Sequence, residues 1–150
     1  MDSMGAETSG CIFCDALAAG DDEKLLIIHR GPTAFVIMNA FPYNTGHLMI
    51  APNRHAGELS ELDEAERSDL MELTNRSIEV IKDAIGPEGF NTGMNLGRIA
   101  GAGVPGHLHM HVVPRWGGDT NFMPIVGRTK VLPELLADTA AKLRPGFVST

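Results

Sequence analysis

The sequence predicts an α+β domain in which four or five antiparallel strands carry one long helix on a face. The 150 residues are 43% hydrophobic and 21% charged, which is the composition of one globular domain with a substantial core. Several short apolar stretches are separated by turn residues, a pattern typical of strands. One longer stretch has its apolar residues at helical spacing instead.

The N-terminal half is predicted to contain a short helical turn followed by three strands. We expect residues 1–10, which are small and polar, to be a disordered lead-in to a single domain over 11–150. The predicted elements are a helical turn at Asp15–Ala19, a hairpin of Leu25–Ile28 and Ala34–Met38 around Arg30-Gly31-Pro32, a loop at Phe41–Gly46 and a strand at His47–Ala51.

The long helix is predicted over Asp63–Ile85. Asp63 can cap its first turn, and Glu66 lies three residues later, where a capping box places an acidic side chain. Gly86-Pro87 ends the helical pattern. Residues at helical spacing form one mainly apolar stripe that can lie on a sheet. The stripe consists of Leu70, Leu73, Ser77, Val80, Ile81 and Ala84.

The C-terminal half is predicted to add two strands and a second helix. Phe90–Leu96 and His107–Pro114 have strand character and are separated by the glycine-rich loop Gly97–Gly106. Pro133–Leu143 has the amphipathic pattern of a final helix.

The charge balance narrows the possible partners. The formal net charge is -7, so nucleic acids and anionic membrane surfaces are repelled, although a local pocket can still attract a small phosphate ligand. The sequence has no apolar run long enough to span a bilayer, and its first ten residues do not have the basic and apolar pattern expected of a signal peptide. We therefore expect a cytoplasmic protein without nucleic-acid or membrane partners, in which Cys11 and Cys14 are free or metal-bound.

Three of the six histidines fall within five residues of the last predicted strand. Because side chains alternate along a strand, His107, His109 and His111 share one face, about 6.5–7 Å apart, and the apolar residues between them face the other side. Neighbouring imidazoles at this spacing can act on one substrate.

This pattern has three interpretations. The histidines can form a solvated face or bond to backbone carbonyls, or all three can converge on zinc. Alternatively, the central imidazole can be a nucleophile at physiological pH, with one neighbour holding its tautomer and the other protonating the leaving oxygen.

The segment His-Leu-His-Met-His-Val-Val resembles the signature of the histidine-triad (HIT) family. The resemblance extends from Cys11 to Leu143 and is strongest with the bacterial branch described as diadenosine tetraphosphate phosphorylases or hydrolases. Other matching segments are Met38-Asn39, Gly46-His-Leu-Met-Ile-Ala-Pro52, Gly93-Met-Asn-Leu-Gly97 and Pro114-Arg-Trp-Gly-Gly-Asp-Thr-Asn-Phe-Met123.

The resemblance implies a HIT-like fold with about five antiparallel strands, one long helix and a C-terminal helix, and a homodimer with a continuous sheet. It implies that His109 is the nucleophile that takes a nucleotidyl group and that His111 contacts phosphate and assists proton transfer. By the same resemblance, Asn39 binds the ribose and Asn95 lies near the phosphate.

One segment departs from the family pattern. Many relatives have Gln and then Ser or Thr before the first histidine, whereas this chain has Gly103 and Val104, followed by Pro105, which has no N–H. We expect phosphate contacts there from the backbone amides of Gly103, Val104 or Gly106. The departure weakens the case for activities that need a hydroxyl in this loop, such as phosphoramidase activity.

Cys11-Ile-Phe-Cys14 has a spacing that can present two thiolates to one tetrahedral metal, although a redox pair or two small buried residues would give the same pattern. Zinc-bearing HIT relatives and galactose-1-phosphate uridylyltransferases resemble the chain here. The resemblance implies a structural zinc on Cys11, Cys14, His55 and His107, with His109 left free.

Three further side chains have weaker interpretations. We expect His47 to be a packing or hydrogen-bonding residue beneath the triad, and His29 to be an exposed loop residue. Trp116 lies either at the mouth of the active site, where with Arg115 it could hold a second nucleoside or polyphosphate, or in dimer packing.

The sequence thus predicts cleavage of a dinucleoside polyphosphate, diadenosine tetraphosphate above all, through a nucleotidyl-His109 intermediate. Whether water or inorganic phosphate is the second nucleophile stays open. The alternatives are a nucleoside phosphoramidase or other nucleotide-conjugate hydrolase, and a nucleotide-binding module with little turnover.

Overall fold

The predicted α+β architecture is confirmed in a computed structural model, which describes residues 10–40, 45–101, 106–119 and 132–148. The lead-in at 1–9, most of the predicted loop before Gly46, and Gly103 and Val104 lie outside the described residues. In the described part, no helix is both long and apolar enough to cross a membrane.

The helices are α1 (Ile12–Ala19), α2 (Asp22–Leu25), α3 (Glu64–Ile85) and α4 (Leu132–Val148), with short 3-10 turns at Leu59–Glu61 and Arg98–Ala100. The strands are β1 (Ile27–Arg30), β2 (Ala34–Met38), β3 (Leu48–Pro52), β4 (Gly89–Gly93) and β5 (Met110–Arg115). These five strands form one antiparallel sheet in the order β1-β2-β3-β5-β4. The triad strand β5 therefore lies between β3 and the edge strand β4.

Helix α3 begins as the sequence predicts. The Asp63 carboxylate accepts a hydrogen bond from the Glu66 N–H at 2.8 Å, and Glu66 accepts one from the Asp63 N–H at 2.9 Å. Gly86 ends the helix in a left-handed conformation. The predicted stripe packs against one face of the sheet, where residues of α3 share the main apolar cluster with Ile50 and Val112.

The opposite face of the sheet carries α1. Phe13 is fully buried there and shares a second apolar cluster with Phe35 and Met49. Because Leu108, Met110 and Val112 belong to the cluster beneath α3, the histidines that alternate with them lie on the α1 side. The sheet thus separates the long helix from the candidate site.

The triad strand is shorter than predicted, since β5 begins at Met110 and not at His107. Its pairing with β3 stops at Ile50↔Met110. Beyond that point the Leu108 N–H donates to the Ala56 carbonyl at 2.7 Å, and Pro52 at the end of β3 has no N–H to donate. His107 and His109 therefore lie just before β5, and the chain bends at His107.

Other boundaries also differ from the prediction. The predicted strand Phe90–Leu96 is β4, which ends at Gly93, and the first helix starts three residues before Asp15. The interpretation of His29 as an exposed loop residue is wrong. It lies half-buried in β1, and its ring stacks on Phe147 of α4 at 5.3 Å between centroids.

Gly46 shapes the entry into β3 and the placement of His47. Its φ of +85° is left-handed, and an added Cβ would lie 2.8 Å from Ile85 Cδ1 and 3.3 Å from Pro114 Cγ. We expect Gly46→Ala to lower the free energy of unfolding by about 1–3 kcal/mol, measured by urea denaturation.

Gly89→Ala is the matched control, since Gly89 has no positive φ and open space around its Cβ position. The free energy of unfolding of Gly89→Ala should equal that of the wild type or exceed it by up to about 1 kcal/mol. Equal losses in the two variants would contradict the assignment of strain to Gly46.

Candidate active site and metal centre

The three triad histidines lie side by side, with a different degree of burial for each. His107 is fully buried and His109 is 6% exposed, whereas His111 is half-buried. The rings of His109 and His111 are 4.9 Å apart between centroids and meet edge to face. A ligand over this face would therefore meet His109 and His111 together.

The backbone fixes the tautomer of His109. Its Nδ1 lies 3.1 Å from the His107 carbonyl oxygen. A carbonyl only accepts, so Nδ1 carries the proton and Nε2 keeps its lone pair. Burial lowers the pKa of His109 below its usual 6.5, which outweighs the opposite effect of this hydrogen bond. His109 is thus a neutral imidazole with a free Nε2 at physiological pH.

His47 is the partner of His111. Its Nε2 lies 2.9 Å from His111 Nδ1, which fits the expectation of a hydrogen-bonding residue beneath the triad. Burial, and then the charge on His111, lowers the pKa of His47 to about 4. Burial and the charge on His109 lower the pKa of His111 as well. The two neutral rings share one proton in this contact, so His47 sets which nitrogen of His111 carries it.

Phe13 forms the floor beneath the nucleophile position. Its ring centroid lies 5.2 Å from that of His107 and 4.9 Å from that of His109. Phe13 belongs to no predicted site in the sequence, where it lies between Cys11 and Cys14. The only sequence feature that could have placed Phe13 near the triad is this position, because the two cysteines are implied to bind the same metal as His107.

The four side chains implied as zinc ligands come together at one point. We call them the metal set, which consists of Cys11, Cys14, His55 and His107. The Sγ of Cys11 lies 3.2 Å from His107 Nδ1, and the Sγ of Cys14 lies 3.5 Å from the same atom and 3.4 Å from His55 Nδ1. The two imidazole nitrogens are 3.3 Å apart. All four ligand atoms lie within 4.8 Å of one another, so the set could hold a metal ion.

These separations fit a tetrahedral ion. Zinc–sulfur bonds of about 2.3 Å and zinc–nitrogen bonds of about 2.0–2.1 Å give S···N edges of about 3.6 Å and N···N edges of about 3.3 Å. His107 Nε2 donates to the Pro52 carbonyl at 2.8 Å, which leaves its Nδ1 lone pair directed at the cluster. Gly106 allows the chain to pass His55, because an added Cβ would lie 3.1 Å from His55 Nε2.

Two further predicted residues, Asn39 and Asn95, donate hydrogen bonds to backbone carbonyls. The Asn39 N–H donates to the His47 carbonyl at 3.0 Å, so Asn39 lies beside the His47–His111 pair. The exposed Asn95 amide donates to the Gly101 carbonyl at 3.4 Å.

Trp116 is half-buried in a turn that Asp119 closes. The Trp116 N–H donates to the Asp119 carboxylate, which also binds the Arg115 guanidinium through two contacts of 2.7 and 2.8 Å. Arg115 additionally donates to Asn91. Arg115 is therefore engaged within the protein, in contrast to its suggested part in holding polyphosphate.

An antiparallel sheet with a long helix on one face and three alternating histidines on the other defines a histidine-triad protein. A sequence profile of the HIT domain matches residues 22–118, and the chain belongs to the HIT family. Proteins of Mycobacterium tuberculosis named AP-4-A phosphorylase are 50% identical over 118 residues, which is 79% of this chain and 60% of theirs. The chain thus spans less than two thirds of these relatives.

A more distant relative and a solved structure agree with this assignment. Adenosine 5'-monophosphoramidase hnt1 of Schizosaccharomyces pombe is 30% identical over 105 residues, 70% of this chain and 74% of hnt1. The crystal structure of a Zn-bound histidine triad family protein from Mycobacterium smegmatis has a TM-score of 0.70 and 23% identity, covering 91% of each chain. The latter likeness supports the fold.

Proposed function

We propose that this protein is an enzyme that cleaves a dinucleoside polyphosphate, with diadenosine tetraphosphate as the principal candidate. The observation that carries the proposal is the hydrogen bond from His109 Nδ1 to the His107 carbonyl, which leaves Nε2 free as a nucleophile. The mycobacterial relatives named AP-4-A phosphorylase support this choice of substrate.

In the proposed first step, His109 Nε2 attacks the α-phosphorus of one nucleotide. A nitrogen–phosphorus bond forms, the bridging phosphorus–oxygen bond breaks, and ATP leaves as AMP stays on His109. The N–H of the neutral His111 ring donates a hydrogen bond to the leaving oxygen and stabilises the negative charge with which ATP departs. In the second step, water releases AMP or inorganic phosphate releases ADP, which regenerates the free imidazole.

The other predicted residues bind the nucleotide in this proposal. Asn39 grips the ribose, next to the His47–His111 pair, and Asn95 lies near the phosphates. The phosphates are bound in this proposal by the backbone amides of Gly103, Val104 or Gly106, the first two of which lie outside the described residues. Trp116 lines the mouth of the site.

We further propose that Cys11, Cys14, His55 and His107 hold a zinc ion. The ion, when bound, supplies a structural link between α1 and the triad segment. With four protein ligands the set has no open position for substrate, so the ion has no direct part in the reaction.

The proposed setting is a homodimer in the cytoplasm. Strand β4 lies at the edge of the sheet with Asn91–Gly93 exposed, which would allow a second copy to extend the sheet. Phosphoramidase activity is the second candidate function, because the S. pombe relative bears that name.

Product analysis tests the proposed function. The purified protein is incubated with diadenosine tetraphosphate, with and without inorganic phosphate, and the nucleotides are separated by chromatography. AMP and ATP are the products expected of a hydrolase, and ADP and ATP formed only with phosphate are those of a phosphorylase. Absence of cleavage under both conditions would refute the substrate assignment, and ammonia release from adenosine 5'-phosphoramidate would then favour the second candidate.

A further inference from the structure

A cavity of about 670 Å³ lies beside the triad segment, between the turn that precedes α3 and the chain that follows β4. Its walls include His55, Glu58, Leu59, Glu61, Leu96 and Gly106. Among these, His55 belongs to the metal set. The cavity therefore adjoins the metal centre on the side where the chain enters the triad.

The cavity lies on the side of His109 away from the proposed ribose end. Asn39 lies next to His47, and His47 bonds to His111, so the proposed ribose end lies on the His111 side of His109. Gly106 lies on the other side, three residues before His109, in the turn that leads into the triad segment. In the proposed complex the leaving oxygen stays within reach of His111, and the flexible chain of three phosphates beyond it can turn toward this cavity.

The walls suit a nucleoside better than a phosphate. Leu59 and Leu96 are large apolar side chains that remain 37% and 45% exposed and both line the cavity. The exposed Glu58 carboxylate can accept hydrogen bonds from ribose hydroxyls or a base amino group. No lysine or arginine is among the described residues that line it, and the carboxylates repel phosphate.

Arg98 is the residue that follows the cavity wall in the chain. Arg98 follows the lining residue Gly97, in a short exposed turn bounded by Gly97 and Gly101, whose φ values are +86° and +95°. Its guanidinium has no hydrogen-bond or ion-pair partner among the described residues. The other arginines of the described part bind carboxylates or backbone carbonyls, namely Arg30, Arg54, Arg67, Arg76, Arg115 and Arg144.

We propose that this cavity binds the second nucleoside of the dinucleoside polyphosphate and that Arg98 contacts the bridging phosphates. The inference rests on the proposed function. Leu59 and Leu96 cover the base, Glu58 accepts hydrogen bonds from the sugar or base, and Arg98 neutralises charge between the cavity and His109. The cavity would thus select substrates in which the leaving group carries a nucleoside.

Two substrates that differ only in the second nucleoside test this assignment. Diadenosine tetraphosphate and adenosine 5'-tetraphosphate have the same four phosphates, and only the former can fill the cavity. We expect the wild type to have a kcat/KM at least about tenfold higher for diadenosine tetraphosphate. The Leu59→Ala/Leu96→Ala variant should lose about tenfold in kcat/KM on that substrate and change little on adenosine 5'-tetraphosphate.

Arg98→Gln should lower kcat/KM about equally on both substrates, because both present the phosphates. Met71→Ala is the control, since Met71 is a large apolar side chain, 56% exposed, on α3 and outside the cavity walls. It should leave both rates unchanged.

Equal kcat/KM for the two substrates, or equal losses on both in the double leucine variant, would overturn the nucleoside assignment and leave the proposed function intact. An unchanged Arg98→Gln would overturn the phosphate contact. If the wild type cleaves neither substrate, the proposed function itself fails, and this inference fails with it.

Discussion

Replacing His109 with alanine should lower the turnover of diadenosine tetraphosphate at least about a thousandfold, with the fold and nucleotide binding retained. The reason is chemical, because no other described imidazole has both the position and the tautomer of His109. His107 directs its Nδ1 into the metal set, and His111 shares its Nδ1 contact with His47. The initial rate of ATP formation measures the effect.

Trapping of the intermediate gives the sharper measurement. Wild-type protein quenched during turnover should carry an added AMP that is labile in acid, as expected for a phosphorus–nitrogen bond, and His109→Ala should carry none. His29→Ala is a matched control, since His29 stacks on Phe147, on the side of the sheet away from the triad. An adduct on another residue in His109→Ala would show that the nucleophile is misassigned.

The fold was predictable because its local patterns agree with its packing. Three features are encoded by residues that lie close together in the sequence. They are the capping box at Asp63, the apolar stripe of α3 and the hairpin of β1 and β2. The predicted start of the triad strand was wrong because a tertiary hydrogen bond ends the strand pairing earlier. His107 has strand-like alternation, but its neighbour Leu108 bonds to Ala56 instead of continuing a ladder with Pro52.

The composition of the metal set was predictable through family resemblance, whereas its connection to the nucleophile was not. Spacing identifies Cys11 and Cys14, and alternation identifies the triad. The packing of Phe13 on His109 joins residues 96 positions apart, and no local pattern records such a contact. The His47–His111 bond, across two strands, is equally invisible to spacing.

For Arg115 the sequence suggests a ligand contact, whereas the structure pairs the side chain within the protein. Its place beside Trp116 suggests a ligand contact, but Asp119, four residues later, takes the guanidinium. By contrast, Arg98 has no feature in the sequence that distinguishes it from the other arginines. Its significance emerges only when the partners of each arginine are known.

Removing the metal ligands should have the largest effect on stability. We expect the protein purified without chelators to contain one zinc ion per chain, and Cys11→Ser/Cys14→Ser to contain none. Structural zinc contributes an apparent 10–16 kcal/mol in zinc-finger peptides, roughly the whole stability of a domain. A loss of even about 5 kcal/mol would lower the Tm of this 150-residue chain by about 15 °C.

His55→Ala removes a metal ligand without removing core packing, because the His55 side chain is exposed. It should weaken zinc binding and lower the Tm, whereas the same substitution at His29, outside the metal set, should leave the zinc content unchanged. Chelator treatment of the wild type should reproduce the Tm loss. Substoichiometric zinc in the wild type, with a Tm insensitive to chelator, would contradict the zinc assignment.

The same experiment bears on catalysis, since the metal set and the nucleophile share His107. Its Nδ1 belongs to the metal set, its Nε2 bonds to Pro52, and its carbonyl holds the His109 proton. Loss of the ion would free the His107 ring and α1 with Phe13, so the position of His109 would loosen. We therefore expect Cys14→Ser, a change in the metal set outside the cavity walls, to lower kcat more than it raises KM, because the Asn39 end of the nucleotide site remains in place.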